Sequence, residues 1–299
     1  MGAEPFRYTS AGEDSGRWAG FPFRDGDIVI SSRLKTGTTW VQMICALLIF
    51  QTPQLNAPIG WYSPWLDLIV RPKEEIFAML AAQRHRRFIK THTPLDGIPV
   101  DPRATYIVVG RHPLDAAVSL YFQGENINRN RQRQLIAELT GQPVPADPEE
   151  PRKAAGEWLL DWIDNEASPH QEMDSIRGFL WHYSDAWARR SEPNIVLLHY
   201  AELSADLDGQ MRQLASQLGI TVPDSAWPGL IEAATFTNMR ADAERITGSG
   251  HLFKSAEAFF RRGTSGAGRE MLTKAELARY DRRAAELASA DMLRWLHRP

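Results

Sequence analysis

The sequence predicts an α/β fold, a three-layer sandwich in which helices cover both faces of a central, mostly parallel sheet. Three observations carry this reading. Short apolar, β-branched runs at residues 27–31, 104–110 and 194–199 lack the polar alternation of a strand with one wet face. Each is followed by a loop and then by apolar residues at helical spacing. The first of these loops is built from glycine and small hydroxyl residues, which let backbone N–H groups converge on an anion at a helix N-terminus.

Taken in order, residues 1–20 are rich in Gly, Ser and charge and read as a loose N-terminal arm, ending at the aromatic stretch 18–23. Residues 27–31 (DIVIS) form the first strand, 32–37 a P-loop-like turn, and 38–51 a helix. Residues 87–90 (RFIK) read as a strand entering a Thr-His-Thr-Pro loop, and 104–110 (ATYIVVG) as another. Pro113 then stands where a first helical turn tolerates a missing N–H, opening a helix to about Phe122. Residues 194–199 (NIVLLH) form a further strand, and the helix 207–218 stops at Gly219. Between 126 and 172 the pattern breaks, with a polar run at 128–133 and four prolines among acids at 141–152. Such an excursion is either a mobile lid or acceptor-side insertion, or disordered; Trp158, Leu159, Leu160, Trp162 and Ile163 give it something to bury. Residues 272–296 return to helix-like leucine spacing. No repeat or low-complexity tract divides the chain, so 1–299 reads as a single domain, with ligands expected at the carboxyl ends of its strands.

Composition narrows the function. With 34 basic and 37 acidic residues the net charge is −3, which gives no basic envelope for nucleic acid. The longest apolar run, residues 41–50, is about half a membrane span and contains Gln42. No secretory signal is visible, and a single cysteine, Cys45, fits a reducing compartment; a cytoplasmic location is expected. The eight histidines show no ligand spacing, so no metal is expected. Among the 34 cations just six are lysines; where arginine is the default, each lysine asks for a reason.

Lys35 offers one. The loop Ser32-Arg33-Leu34-Lys35-Thr36-Gly37-Thr38-Thr39-Trp40 is a phosphate cradle by composition, yet it is not the Walker form, since Lys35 precedes Gly37. Three further segments follow in order: Lys90-Thr91-His92-Thr93-Pro94, then Arg111 with Ser119 eight residues on, then Phe259-Phe260-Arg261-Arg262-Gly263. Together, in register over residues 21–280, these resemble the cytosolic-type sulfotransferases that use 3′-phosphoadenosine 5′-phosphosulfate (PAPS), as in a bacterial member of that family.

The resemblance implies roles. Lys35 would stabilise the departing 5′-phosphate, a point charge that can follow a leaving group. The Thr36, Gly37, Thr38 and Thr39 segment would hold that phosphate, and Trp40 would cover adenine, unless it is simply a core aromatic. His92 would be the general base toward the acceptor hydroxyl. Lys90 would either hold the sulfuryl oxygens or set the site's electrostatics. Arg111 and Ser119 would grip the 3′-phosphate, with Arg261, Arg262 and Gly263 completing the clamp and Phe236 on the adenine side or in the core. The product would be adenosine 3′,5′-bisphosphate. Sulfuryl transfer resembles phosphoryl transfer in its loose, in-line transition state, so positioning and charge stabilisation dominate and no metal is demanded.

The chain departs from the family after Gly263, where Gly266-Ala267-Gly268-Arg269 replaces the usual Gly-Asp-Trp-Lys, implying a looser turn. Residues 269–276 lack the family's Thr-Val dimer segment, leaving monomer or homodimer open. Asp115 reads as a structural partner at its helix start. For the acceptor, Trp61, Tyr62 and Trp65 fall where the family places aromatics, and Gln123 where a phenylalanine is common; the aromatics could equally be core. An apolar wall with polar points suits a hydroxyl-bearing phenol, steroid, secondary metabolite or glycolipid. A P-loop-like nucleotide kinase is the main competing reading, against which the missing Walker lysine counts; a catalytically silent nucleotide-binding protein is the other, against which Lys35 and His92 count.

Overall fold

A computed structural model describes residues 4–10, 12–141, 143–144, 152–248 and 252–298. Four parallel strands, β1 (Ile28–Ser31), β2 (Phe88–Thr91), β3 (Thr105–Gly110) and β4 (Ile195–His199), lie side by side in the order β2-β1-β3-β4. Alternate residues of a strand point to opposite faces, and here both faces are covered. Ile28, Ile30, Phe88, Ile107 and Val109 enter one core; Val29, Ile89, Tyr106 and Val108 enter the other. That is why the strands read as continuous apolar runs.

The order of the strands places the site. From β1 the chain enters α1 (Thr38–Phe50), which packs into the first core, and from β3 it enters α2 (Pro113–Asn126), which packs into the second. Since β1 and β3 are neighbours whose helices leave toward opposite faces, their loops diverge and open a crevice at the carboxyl edge. Helices Leu207–Gln217 and Trp227–Ala234 join α1 on its face, and Lys274–Leu287 and Ala290–Leu296 join α2.

Two expectations change. The arm is not loose where it is described: Tyr8 and Trp18 are 7% and 1% exposed, a 3₁₀ turn spans Ser15–Trp18, and the Trp18 indole donates to the buried Asp67 carboxylate. Two aromatic anchors outweigh the Gly and Ser composition around them. The excursion at 126–172 also divides. Helix α3 (Arg129–Thr140) borders the crevice, whereas α4 (Ala155–Asp164) buries Leu159, Trp162 and Ile163 in the core beside α5 (Ile176–Ala188). Residues 142 and 145–151, part of the proline-rich stretch, lie outside the described residues.

Candidate active site

The loop from β1 to α1 is wound tightly. Lys35 and Gly37 both take left-handed backbone, φ 65° and 107°, a conformation that costs a non-glycine residue about 1 kcal/mol. Gly37 is the N-cap of α1, and no side chain caps it, so the first-turn N–H groups are left for an anion. The hydroxyls brace the turn: Thr36 Oγ1 donates to Arg33 O at 2.8 Å, and Ser32 Oγ and Thr38 Oγ1 lie 2.6 Å apart. Thr36 is fully buried and does not line the crevice; Thr38 and Thr39 do.

Above the loop lies a cavity of about 430 Å³, into which the separated motifs converge. Lys35, Lys90, Arg111, Arg261 and Arg262 line it together, with Ser119, Gln123, Trp40, Phe236 and Gly263. Lys35 Nζ donates to Gln123 Oε1 at 3.1 Å and to Phe259 O at 3.3 Å, and it sits 4.1 Å from the Phe259 ring centroid. Arg111 ties the two diverging loops, donating to Lys35 O at 2.9 Å and to Thr264 O at 3.2 Å. Among the described residues none of Lys35, Lys90, Arg111 and Arg261 forms an ion pair, and Arg262 alone of the five meets a carboxylate, Glu270. Burial, then Arg111, Lys90 and Arg261, push the Lys35 ammonium down to about 7. Burial likewise brings Lys90 down to about 8. Among the described residues, Arg111 Nε and Arg261 Nε are buried without partners. Clustered cations, four of them without an ion pair among the described residues, with orphaned donors are the arrangement that an anionic nucleotide satisfies.

His92 faces the same cavity. Its Nδ1 lies 2.5 Å from Ser32 O; a carbonyl can only accept, so Nδ1 carries the proton and Nε2 keeps the lone pair. Burial and the neighbouring Lys90 hold the imidazole well below its usual value, hence neutral at pH 7 with the Nε2 lone pair free. Trp65 stands edge-on to the ring at 4.7 Å, its indole N–H buried and without a partner among the described residues, while Lys90 Nζ lies 4.0 Å from the Trp65 ring.

The opposite wall is aromatic. Trp40 donates to Ala234 O at 2.8 Å and packs edge-on to Tyr200, so it serves the core while lining the cavity. Phe236 lies against Gly263, whose φ is 69°; a Cβ there would stand 2.7 Å from the ring. The segment beyond Gly263 is not the looser turn expected. Asp115, buried on α2, accepts from Gly266 N and Gly268 N, both at 2.8 Å, and Gly268 packs on Leu114 so closely that a Cβ would lie 2.4 Å away.

A sulfotransferase domain model matches residues 25–291. This chain belongs to the sulfotransferase family. It is 41% identical over 97% of its length to a glycolipid sulfotransferase of Mycobacterium bovis, of which it covers 93%. Human sulfotransferase 2B1 is 26% identical over 87% of this chain and 65% of its own length. The fold is shared with a mouse sulfotransferase complexed with PAP, at TM-score 0.67 and 20% identity over 97% of this chain and 98% of that one. A retinol dehydratase in complex with retinol and PAP matches at TM-score 0.69 and 18% identity, over 92% and 84%. The chain is therefore an enzyme of PAPS-dependent sulfuryl transfer, and the kinase and silent-binder alternatives are not favoured. Among the described residues no helix is long and apolar enough to cross a membrane, and no group of His, Cys, Asp or Glu gathers to hold a metal.

In this sulfotransferase the acceptor-side expectations separate. Trp65 and Gln123 line the cavity, whereas Trp61 and Tyr62 do not. Both belong to the short helix Ile59–Tyr62 on the outside of α1, where Trp61 is 59% exposed and Tyr62 packs against Phe50 and His85. Sequence reasoning missed Asp67, which is buried beneath His92. Asp67 Oδ2 accepts from the Thr91 hydroxyl, from Thr93 Oγ1 at 3.2 Å and from His92 N at 3.3 Å. It also missed Ser10, Gly12 and Glu13, which border the cavity from the arm. Backbone pairing puts them there: residues 64–66 lie along β2, with Lys90 N donating to Pro64 O, and Glu13 pairs with Leu68 beyond. No local pattern in the sequence signals either contact.

Proposed function

We propose that this sulfotransferase acts on a hydroxyl of an amphiphilic acceptor, of the glycolipid or hydroxy-lipid class, with His92 as general base. The observation that carries the reading is a neutral imidazole, its Nδ1 held by Ser32 O, at the meeting of the cation cluster and an apolar wall. When bound, the donor supplies a sulfuryl group already activated on phosphate. The N–H groups of Thr38 and Thr39 at the α1 start receive the 5′-phosphate, and Lys35 stabilises the charge that grows on it. Arg111, Ser119, Arg261, Arg262 and the Gly263 backbone hold the 3′-phosphate, between Trp40 and Phe236 on the adenine side. Lys90, beside His92, neutralises the sulfuryl oxygens. His92 Nε2 takes the acceptor proton as the acceptor oxygen bonds to sulfur and the sulfur–phosphate oxygen bond breaks.

Trp65, Leu68, Val70, Ile127, Leu135 and Phe253 line the rest of the cavity, a surface for an alkyl or fused-ring body. The relatives at 41% identity bear the name glycolipid sulfotransferase. The test is labelled-sulfate transfer from PAPS to phenols, sterols and glycolipids. His92→Ala is expected to lose at least about 100-fold in turnover while keeping the melting shift produced by adenosine 3′,5′-bisphosphate; full activity in that variant removes His92 as base.

A further inference from the structure

Beside the main cavity lies a second, of about 260 Å³, more than a few ordered waters require at about 30 Å³ each. The arm and residues 169–174 enclose it, and it shares Ser10, Glu13, Leu34 and His92 with the main cavity. Its chemistry is the reverse of the apolar wall described above: Glu13, Arg33, His170, Gln171, Glu172 and Asp174 line it. The two chambers meet at His92. An acceptor presenting its hydroxyl there has one half in apolar surroundings and the other among polar groups.

The polar chamber limits what that half can be. Arg33 is occupied, donating to His92 O at 3.0 Å and to Asp174 Oδ1 at 2.5 Å, and Glu172 Oε1 accepts from Asp174 N at 2.7 Å. Glu13 differs: its carboxylate forms no hydrogen bond or ion pair among the described residues, although its backbone is fixed by the pairing with Leu68. Burial raises its pKa to about 7. An anionic group would meet three carboxylates, and an apolar one would leave Glu13 unsatisfied. A neutral polyol supplies hydroxyl donors to Glu13 and accepts from the Gln171 amide.

The geometry points to a binding site for a neutral sugar headgroup in this second chamber, with Glu13 accepting from its hydroxyls beside His92. The proposal rests on the acceptor reading above and deepens it. The test compares octyl glucoside with octanol as acceptors of labelled sulfate from PAPS. The wild type is expected to favour the glucoside in kcat/KM. Glu13→Ala is expected to lower the glucoside-to-octanol ratio by about tenfold or more, mainly through KM, and Glu13→Gln by less. Gln171→Trp, at an exposed rim position, is expected to lower the ratio by filling the chamber, and it carries the test if Glu13→Ala does not fold. The bisphosphate melting shift reports on fold and donor site in every variant. An unchanged ratio in the folded variants, or a wild-type preference for octanol, overturns the proposal. Sulfation of neither compound, with the bisphosphate shift intact, overturns the acceptor reading and the proposal with it.

Discussion

Binding of adenosine 3′,5′-bisphosphate is expected to take up a proton at Lys35, and raising the pH from 7 to 9 tests this. The free enzyme holds Lys35 near 7 because the ammonium is buried beside Arg111, Lys90 and Arg261 with no counter-charge. A bound phosphate reverses the field and raises its pKa toward or above the ordinary 10.5. Since the bound form is the one with the raised pKa, the Lys35 contribution to affinity is full below pH 7 and is lost as pH rises above 7. Free Lys35 is about half protonated at pH 7 and about one part in a hundred at pH 9. The apparent Kd should therefore rise about 50-fold, or about 2.3 kcal/mol. The phosphates themselves, with second pKa values near 6, are already about nine-tenths doubly charged at pH 7 and change little over this range. Titration calorimetry at pH 8.5 in two buffers of different ionisation heat counts the protons directly. Lys35→Met should remove the uptake at Lys35 and leave any at Lys90, which starts near 8. A flat Kd from pH 7 to 9 without proton uptake would refute the reasoning, as would undiminished uptake in Lys35→Met.

Three further outcomes follow from the same geometry. Gly263→Ala combines positive φ with a Cβ 2.7 Å from the Phe236 ring; bisphosphate affinity should drop about tenfold or more, measured by calorimetry. Asp115→Ala leaves the Gly266 and Gly268 amides without their acceptor, and should cost about 3 kcal/mol in urea unfolding together with a smaller bisphosphate melting shift. Asp67→Ala removes the carboxylate that accepts from His92 N and the Thr91 and Thr93 hydroxyls; it should lower kcat more than tenfold while bisphosphate Kd stays within about twofold, with Asp67→Asn recovering part of kcat. Equal loss of kcat and bisphosphate affinity would make its role purely structural.

The cation-lined part of the cavity was legible because most of its parts are contiguous segments at the ends of strands. Lys35, His92 and Arg111 were found by reading a strand and then its loop, and the parallel order β2-β1-β3 brings those loops together. The Gly263 segment was legible as a motif, but its tightness was not, since the Asp115 carboxylate that secures it comes from α2. The acceptor side was read less well. Trp61 and Tyr62 share a local pattern with Trp65, yet only Trp65 lies against β2, where the bridge to Lys90 turns it toward His92. The arm looked loose because most of its residues are small or polar, while Tyr8 and Trp18 carry the packing.

The sequence by itself determined the layered fold, the tight glycine-hydroxyl turn before α1 and the family, because burial on both strand faces and that turn leave signatures within a few residues of one another. Only the tertiary structure decided that Asp67 underlies His92, that Glu13 stands between two chambers, and that four cations meet with no ion pair among the described residues. The first two depend on backbone pairings between segments some 25 to 55 positions apart, such as residue 65 with 90 and 13 with 68, and the third on the strand order that gathers separate loops. Hydrogen bonds between main chains carry no side-chain signature, so no local reading could have found them.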